Sequence, residues 1–104
     1  MLKKYDKLIR DKIPEIIEAQ GKTCVTEVLS QEEYLQKLDE KLCEELAEYQ
    51  QSKELEELAD LLEVMEAAVA ARGHTWEELL VIRDQKRQAR GGFQKCLLLK
   101  EVSD

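Results

Sequence analysis

Lys41-Leu-Cys-Glu-Glu-Leu-Ala-Glu48 and, with only residues 49–56 between them, Glu57-Leu-Ala-Asp60 decide how this chain folds. Each stretch repeats its apolar residues at helical spacing and carries two carboxylates three positions apart: Glu45 with Glu48, then Glu57 with Asp60. On a helix, residues three apart share a face one turn away. The intervening Gln51-Ser-Lys53 is a short turn, so the two helices should run antiparallel. Four carboxylates then converge, and they repel one another unless a cation sits between them. Hard oxygen donors suit Mg²⁺, with Mn²⁺ as its substitute, and Mg²⁺ is usually held by carboxylates together with substrate phosphates.

Outward from this pair, Ser30 and Glu33 form a capping box that opens the first helix, running from about Gln31 to Gln50. Its apolar line is Leu35, Leu38, Leu42, Leu46 and Tyr49. At about 100° per residue, Lys41, Glu45 and Glu48 form a strip on one flank of that line. Glu44 points nearly opposite it and is set aside. The second helix is expected from about Lys53 to Arg72, with Ser52 as N-cap and Gly73 as its stop. One stripe on it is Leu55, Leu58, Leu62, Met65 and Val69; another is Val64, Ala67, Ala68 and Ala71. A helix apolar on two sides is expected to lie between two layers. Glu57 and Asp60 extend the second stripe, so they are carboxylates on a buried face, which is costly without a partner. That placement gives them more weight than the first pair.

Further out, residues 1–12 are a basic lead-in whose Leu2, Tyr5, Leu8 and Ile9 are spaced to dock on a core. Pro14 opens a short helix to about Gln20, which Gly21 ends. Residues 23–29 are β-branched and read as a strand. Thr75 and Glu78 form a second capping box for a third long helix ending near Arg90. Its inward face opens with Trp76, Leu79 and Leu80 and continues as Arg83, Lys86, Arg87 and Arg90. Gly91-Gly92 breaks it, and the extended Phe93–Lys100 segment is expected to pair with residues 23–29. The expected fold is mainly α, one domain spanning 1–104. It is an antiparallel helical bundle of three long helices and a short N-terminal helix, with a small two-stranded β element and a core completed by dimerisation.

Bulk composition narrows the function classes. Of 104 residues, 43% are apolar and 38% charged, and no apolar run is long enough to span a bilayer. The N-terminus lacks the apolar region of a signal peptide, so a cytoplasmic location and no membrane partner are expected. Cys24, Cys43 and Cys96 are widely spaced and read as reduced apolar residues rather than zinc ligands or a disulfide framework. The net charge of −7 is uneven: residues 32–66 carry 13 acids against 3 bases, and the remainder 10 against 13. An acidic middle between basic ends argues against a nucleic-acid polymer as partner. It suits a metal site flanked by phosphate-holding groups.

Arg83, Lys86, Arg87 and Arg90 read either as a polyphosphate clamp or as an exposed basic helix end. Arg10 and Lys12 are equally placed to reach a phosphate or to pair with an acidic helix. His74 reads as a turn residue, and Trp76 as core or interface. The four carboxylates have their own alternative, a solvated Glu-rich face.

Lys7-Leu-Ile-Arg-Asp-Lys-Ile-Pro-Glu-Ile-Ile17, Leu29-Ser-Gln-Glu-Glu-Tyr-Leu35, the two carboxylate stretches and Arg90-Gly-Gly-Phe93 occur in that order. The set resembles the all-α NTP pyrophosphatase superfamily, the MazG-like and phosphoribosyl-ATP pyrophosphohydrolase-like proteins. Within it, the set looks most like the small predicted house-cleaning nucleotide pyrophosphohydrolases. The resemblance implies Mg²⁺ on Glu45, Glu48, Glu57 and Asp60, a homodimer or dimer of dimers, and hydrolysis of a nucleoside triphosphate to monophosphate and pyrophosphate. The phosphates would meet Lys41, Arg10, Lys12, Arg83, Lys86, Arg87 and Arg90, an assignment made from charge and position. The alternatives are a phosphoribosyl-ATP pyrophosphohydrolase and a non-catalytic dimeric helical interaction protein.

Overall fold

A computed structural model describes residues 3–104, and within them the chain is helical. The helices are α1 (Ile13–Ala19), α2 (Gln31–Ser52), α3 (Leu55–Ala71) and α4 (Trp76–Arg90). Leu2, expected to dock on the core, lies outside the described residues.

Local chemistry sets each boundary. Ser30 Oγ accepts from the Glu33 N–H at 3.2 Å, and the Glu33 carboxylate accepts from the Ser30 N–H at 3.4 Å, the reciprocal cap expected of α2. Lys53 ends α2 in the left-handed region (φ 62°), its N–H bonded to the Tyr49 carbonyl at 2.7 Å. Ser52 is therefore the last residue of α2 rather than the N-cap of α3. Its hydroxyl instead accepts from the Glu54 N–H at 3.2 Å, stiffening a connection of only Lys53 and Glu54. Thr75 and Glu78 repeat the reciprocal cap at α4, which Gly91 closes at φ 83°.

The short connection folds α3 back along α2. Gln31 Nε2 donates to the Ala71 carbonyl at 2.9 Å, so the start of α2 lies beside the end of α3 and the pair is antiparallel. Their seam is thin. Leu38 is 2% exposed, with Leu35 and Leu42 half-buried beside it. From α3, Leu61, Val64, Ala67, Ala68 and Ala71 are half-buried. The other α3 stripe, Leu55, Leu58, Leu62 and Met65, faces outward in the single chain, so one of its two apolar sides is covered.

α4 meets α3 only around the turn between them. Ala68, Val69, Arg72, His74, Glu78, Leu79 and Ile82 line an open cleft of about 310 Å³ there. Trp76, Leu79 and Leu80 are half-buried, but every residue from Val81 to Arg90 is exposed. The radius of gyration is 18.5 Å, against about 13 Å for a compact chain of this length.

The expected two-stranded β element is absent from the described residues. Residues 23–29 have no ladder partner, and Val25 and Val28 stand fully exposed. At the other end, a turn joins the Cys96 N–H to the Phe93 carbonyl at 3.3 Å and interrupts the run meant to pair with them. An isolated two-stranded ribbon is marginal without a hydrophobic surface to lie on, and residues 93–100 are exposed throughout.

Candidate metal centre

The site forms where the second half of α2 crosses the first half of α3. Antiparallel packing brings Glu45 and Glu48 beside Glu57 and Asp60. Carboxylate oxygens of Glu45, Glu57 and Asp60 lie within 4.8 Å of one another, as do those of Glu44, Glu45 and Glu48. Glu45 belongs to both groups and is the centre of the cluster.

Glu45 is also its buried member, 7% exposed, while Glu57 and Asp60 are half-buried and Glu48 is exposed. The weight given to Glu57 and Asp60 from their stripe thus shifts to Glu45, which helical phase placed only on a flank. Its Oε2 is buried without any hydrogen-bond donor. Burial raises the Glu45 carboxyl above its ordinary value; a shared proton with Glu48 and the charges of Glu48 and Asp60 add to this, against the pull of Lys41. That shared proton exists only when one of the two acids is neutral. With both ionised, Glu45 Oε2 has nothing to bind. Glu57 is likewise raised, by partial burial and by the charges of Glu48 and Asp60.

Cations already surround the cluster. Lys41 Nζ lies 3.4 Å from Glu44 and 3.6 Å from Glu45, and Lys7 Nζ lies 3.2 Å from Glu44. Partial burial pulls Glu44 upward, but its bond to Lys7 and the charge of Lys41 win, and its carboxyl sits below the ordinary value. Arg10 Nη2 donates to Asp60 Oδ1 at 2.7 Å. Set against the ionised acids Glu44, Glu45, Glu48, Glu57 and Asp60, these three cations leave two negative charges uncompensated.

Lys7 and Glu44 escaped the sequence reasoning. Phase relative to one helix's own apolar line cannot see the N-terminal segment laid across that helix. There Lys37 Nζ holds the Asp6 carbonyl at 3.4 Å and Leu8 is half-buried, while Tyr5 and Ile9 remain exposed. The other basic candidates stand apart. Arg83 pairs with its neighbour Asp84 at 2.9 Å. Among the described residues, no ion pair involves Lys12, Lys86, Arg87 or Arg90. His74 Nδ1 contacts Glu78 at 3.0 Å beside the α3–α4 turn, and the three cysteines are free.

No family model matches the chain, and no solved structure matches it. Over 41 residues, 39% of the chain, it is 56% identical to an uncharacterised protein of Mycolicibacterium smegmatis, and the match spans 42% of that protein's length. No helix of the described residues is long and apolar enough to cross a membrane.

Proposed function

We propose that the chain is a Mg²⁺-dependent nucleoside triphosphate pyrophosphohydrolase acting on noncanonical nucleotides, and that it works as a homodimer in the cytoplasm. The observation that carries this reading is the buried Glu45 Oε2, which lacks a donor at the centre of converging carboxylates. An anion so placed is costly unless a cation meets it. The donor set is all oxygen, which fits Mg²⁺ or Mn²⁺ and disfavours softer metals. Glu45, Glu48, Glu57 and Asp60 would hold the metal. When bound, such an ion polarises a phosphoryl oxygen and acidifies water.

The chain's own groups would do the rest. Glu48, the exposed member, is open to accept the proton of an attacking water. The water oxygen bonds to the α-phosphorus, the α–β bridging P–O bond breaks, and pyrophosphate leaves. Lys41 and Arg10 flank the carboxylates closely enough to meet the phosphates' negative charge. The outward α3 stripe of Leu55, Leu58, Leu62 and Met65 supports a second copy as its cover.

The decisive experiment measures pyrophosphate release in Mg²⁺ from ordinary, oxidised, deaminated and methylated nucleoside triphosphates and from phosphoribosyl-ATP. Turnover of a noncanonical triphosphate is expected. Selective turnover of phosphoribosyl-ATP would move the assignment to that enzyme class. No turnover, with no Mg²⁺-dependent rise in melting temperature, would leave a helical interaction protein. For the dimer, L62K is expected to halve the mass by sedimentation while helical content is kept.

A further inference from the structure

Arg10 reaches Asp60 across 50 residues of sequence, so their bond is a tertiary contact rather than a neighbour on one helix face. It uses a single nitrogen, leaving most of the guanidinium's five donors free. Both partners are half-exposed, with side chains 58% and 42% accessible. Exposed ion pairs contribute little and are readily exchanged. Lys41 differs: it is part-buried and divided between Glu44 and Glu45 on its own helix. Arg10 sits on a segment with no helix or strand of its own. That segment is held upstream by Lys7 on Glu44 and downstream by the Ile13 N–H on the Arg10 carbonyl at 3.1 Å. The backbone is tethered on both sides of Arg10, so leaving Asp60 takes only a side-chain rotation.

We propose that Arg10 is a displaceable occupant of the acidic site: it neutralises Asp60 until a divalent cation takes that carboxylate, and its freed guanidinium then binds the substrate's polyphosphate. This rests on the metal-site reading above and assigns Arg10 two successive roles within it. Arg10 is a competitor of the bare metal and a collaborator of the metal–polyphosphate complex. Two effects of opposite sign on one residue follow, which a merely structural arginine does not produce. The guanidinium's planar fork suits the second role, because it matches phosphate oxygens bidentately.

The test uses the full chain as wild type, R10A, R10Q and R10K, with two probes titrated calorimetrically: Mn²⁺ alone, and inorganic triphosphate in saturating Mg²⁺. R10A and R10Q are expected to bind Mn²⁺ about two- to fivefold tighter than wild type and Mg²⁺-triphosphate about tenfold weaker. R10K should keep the wild-type Mn²⁺ affinity within about twofold and recover part of the triphosphate affinity. R10Q is read in place of R10A if R10A loses its thermal transition. Wild-type Mn²⁺ binding with unchanged or weaker binding in R10A and R10Q overturns the role of Arg10 and leaves the metal site standing. Absence of Mn²⁺ binding in every variant overturns both.

Discussion

The acidic patch between α2 and α3 and the basic end of α4 carry comparable numbers of charged side chains, yet only one of them is confined. In the patch, two packed helices and the N-terminal segment fix the carboxylates: Glu45 is buried, Glu44, Glu57 and Asp60 are half-buried, and Lys7, Arg10 and Lys41 stand within ion-pair distance. On α4, Arg83, Lys86, Arg87 and Arg90 are exposed, and among the described residues the only carboxylate that pairs with them is the adjacent Asp84. Confinement separates the two chemically. Burial, with the neighbouring carboxylate charges added to it, raises the Glu45 and Glu57 carboxyls above their ordinary value. Perturbed groups of this kind mark functional sites more often than solvated charges do.

The largest expected effects come from the patch. D60N and E48Q are each expected to lower Mg²⁺-dependent pyrophosphate release by about 10²-fold or more, with circular dichroism unchanged. Both residues are on the surface side of the cluster, so their loss does not open the Leu38 seam. Both variants should also lose the Mg²⁺-induced rise in melting temperature expected of wild type. Full activity in both would break the assignment of the patch as the catalytic region.

Next in size is the effect of Glu45 on the metal-free protein. Its carboxyl is raised on folding, so the native state holds the proton more tightly than the unfolded chain. Its contribution to stability is therefore fully present below the ordinary value of 4.5 and is lost as pH climbs through the raised one. Glu44, lowered on folding, works the other way: its contribution is present above 4.5 and is lost as pH falls through its depressed value. E45Q removes the buried anion and supplies an amide that can donate to Glu48. We expect it to stabilise the metal-free protein at pH 7 by about 1 kcal/mol, or roughly 4 °C, and to flatten the decline above 4.5. E44Q should do the reverse by a smaller amount, since only its lysine pairs are lost. Thermal melts from pH 4 to pH 8 with chelator present check both. A destabilised E45Q at neutral pH would mean that Lys41 already compensates Glu45.

What the sequence disclosed was what neighbouring residues decide. The caps Ser30–Glu33 and Thr75–Glu78, the short α2–α3 turn and the spacing of the four acids are local, and they place the helices and gather Glu45, Glu48, Glu57 and Asp60. What it hid depends on distant partners. Whether Glu45 or Asp60 is the buried acid is set by how α2 and α3 rotate against each other. Glu44 is paired by Lys7, which comes from a segment 37 residues away. Val25 and Val28 have the composition of a strand, but a strand is made by its partner, and the Phe93–Cys96 turn removes the one expected. Apolar periodicity likewise marked two sides of α3 without saying that a single chain covers only one of them.

The smallest expected effect concerns the basic end of α4. R83Q/R87Q/R90Q removes three charges that are solvated and make no ion pair with the patch. Charges separated by more than about 8 Å of water at physiological salt are largely screened, and surface substitutions usually change stability by less than about 0.5 kcal/mol. The triple variant should therefore keep its melting temperature and its kcat, with KM for a triphosphate changed by less than about threefold. It should be compared with R10A, whose side chain lies in the patch itself. A tenfold rise in KM at constant kcat would show that these arginines do bind the phosphates. The exposed α4 could supply them only from a neighbouring subunit, because within one chain it touches α3 near the turn alone. Mixing the triple variant with inactive D60N would then settle the point: restored activity in the mixed dimer requires that one subunit lend its carboxylates and the other its arginines.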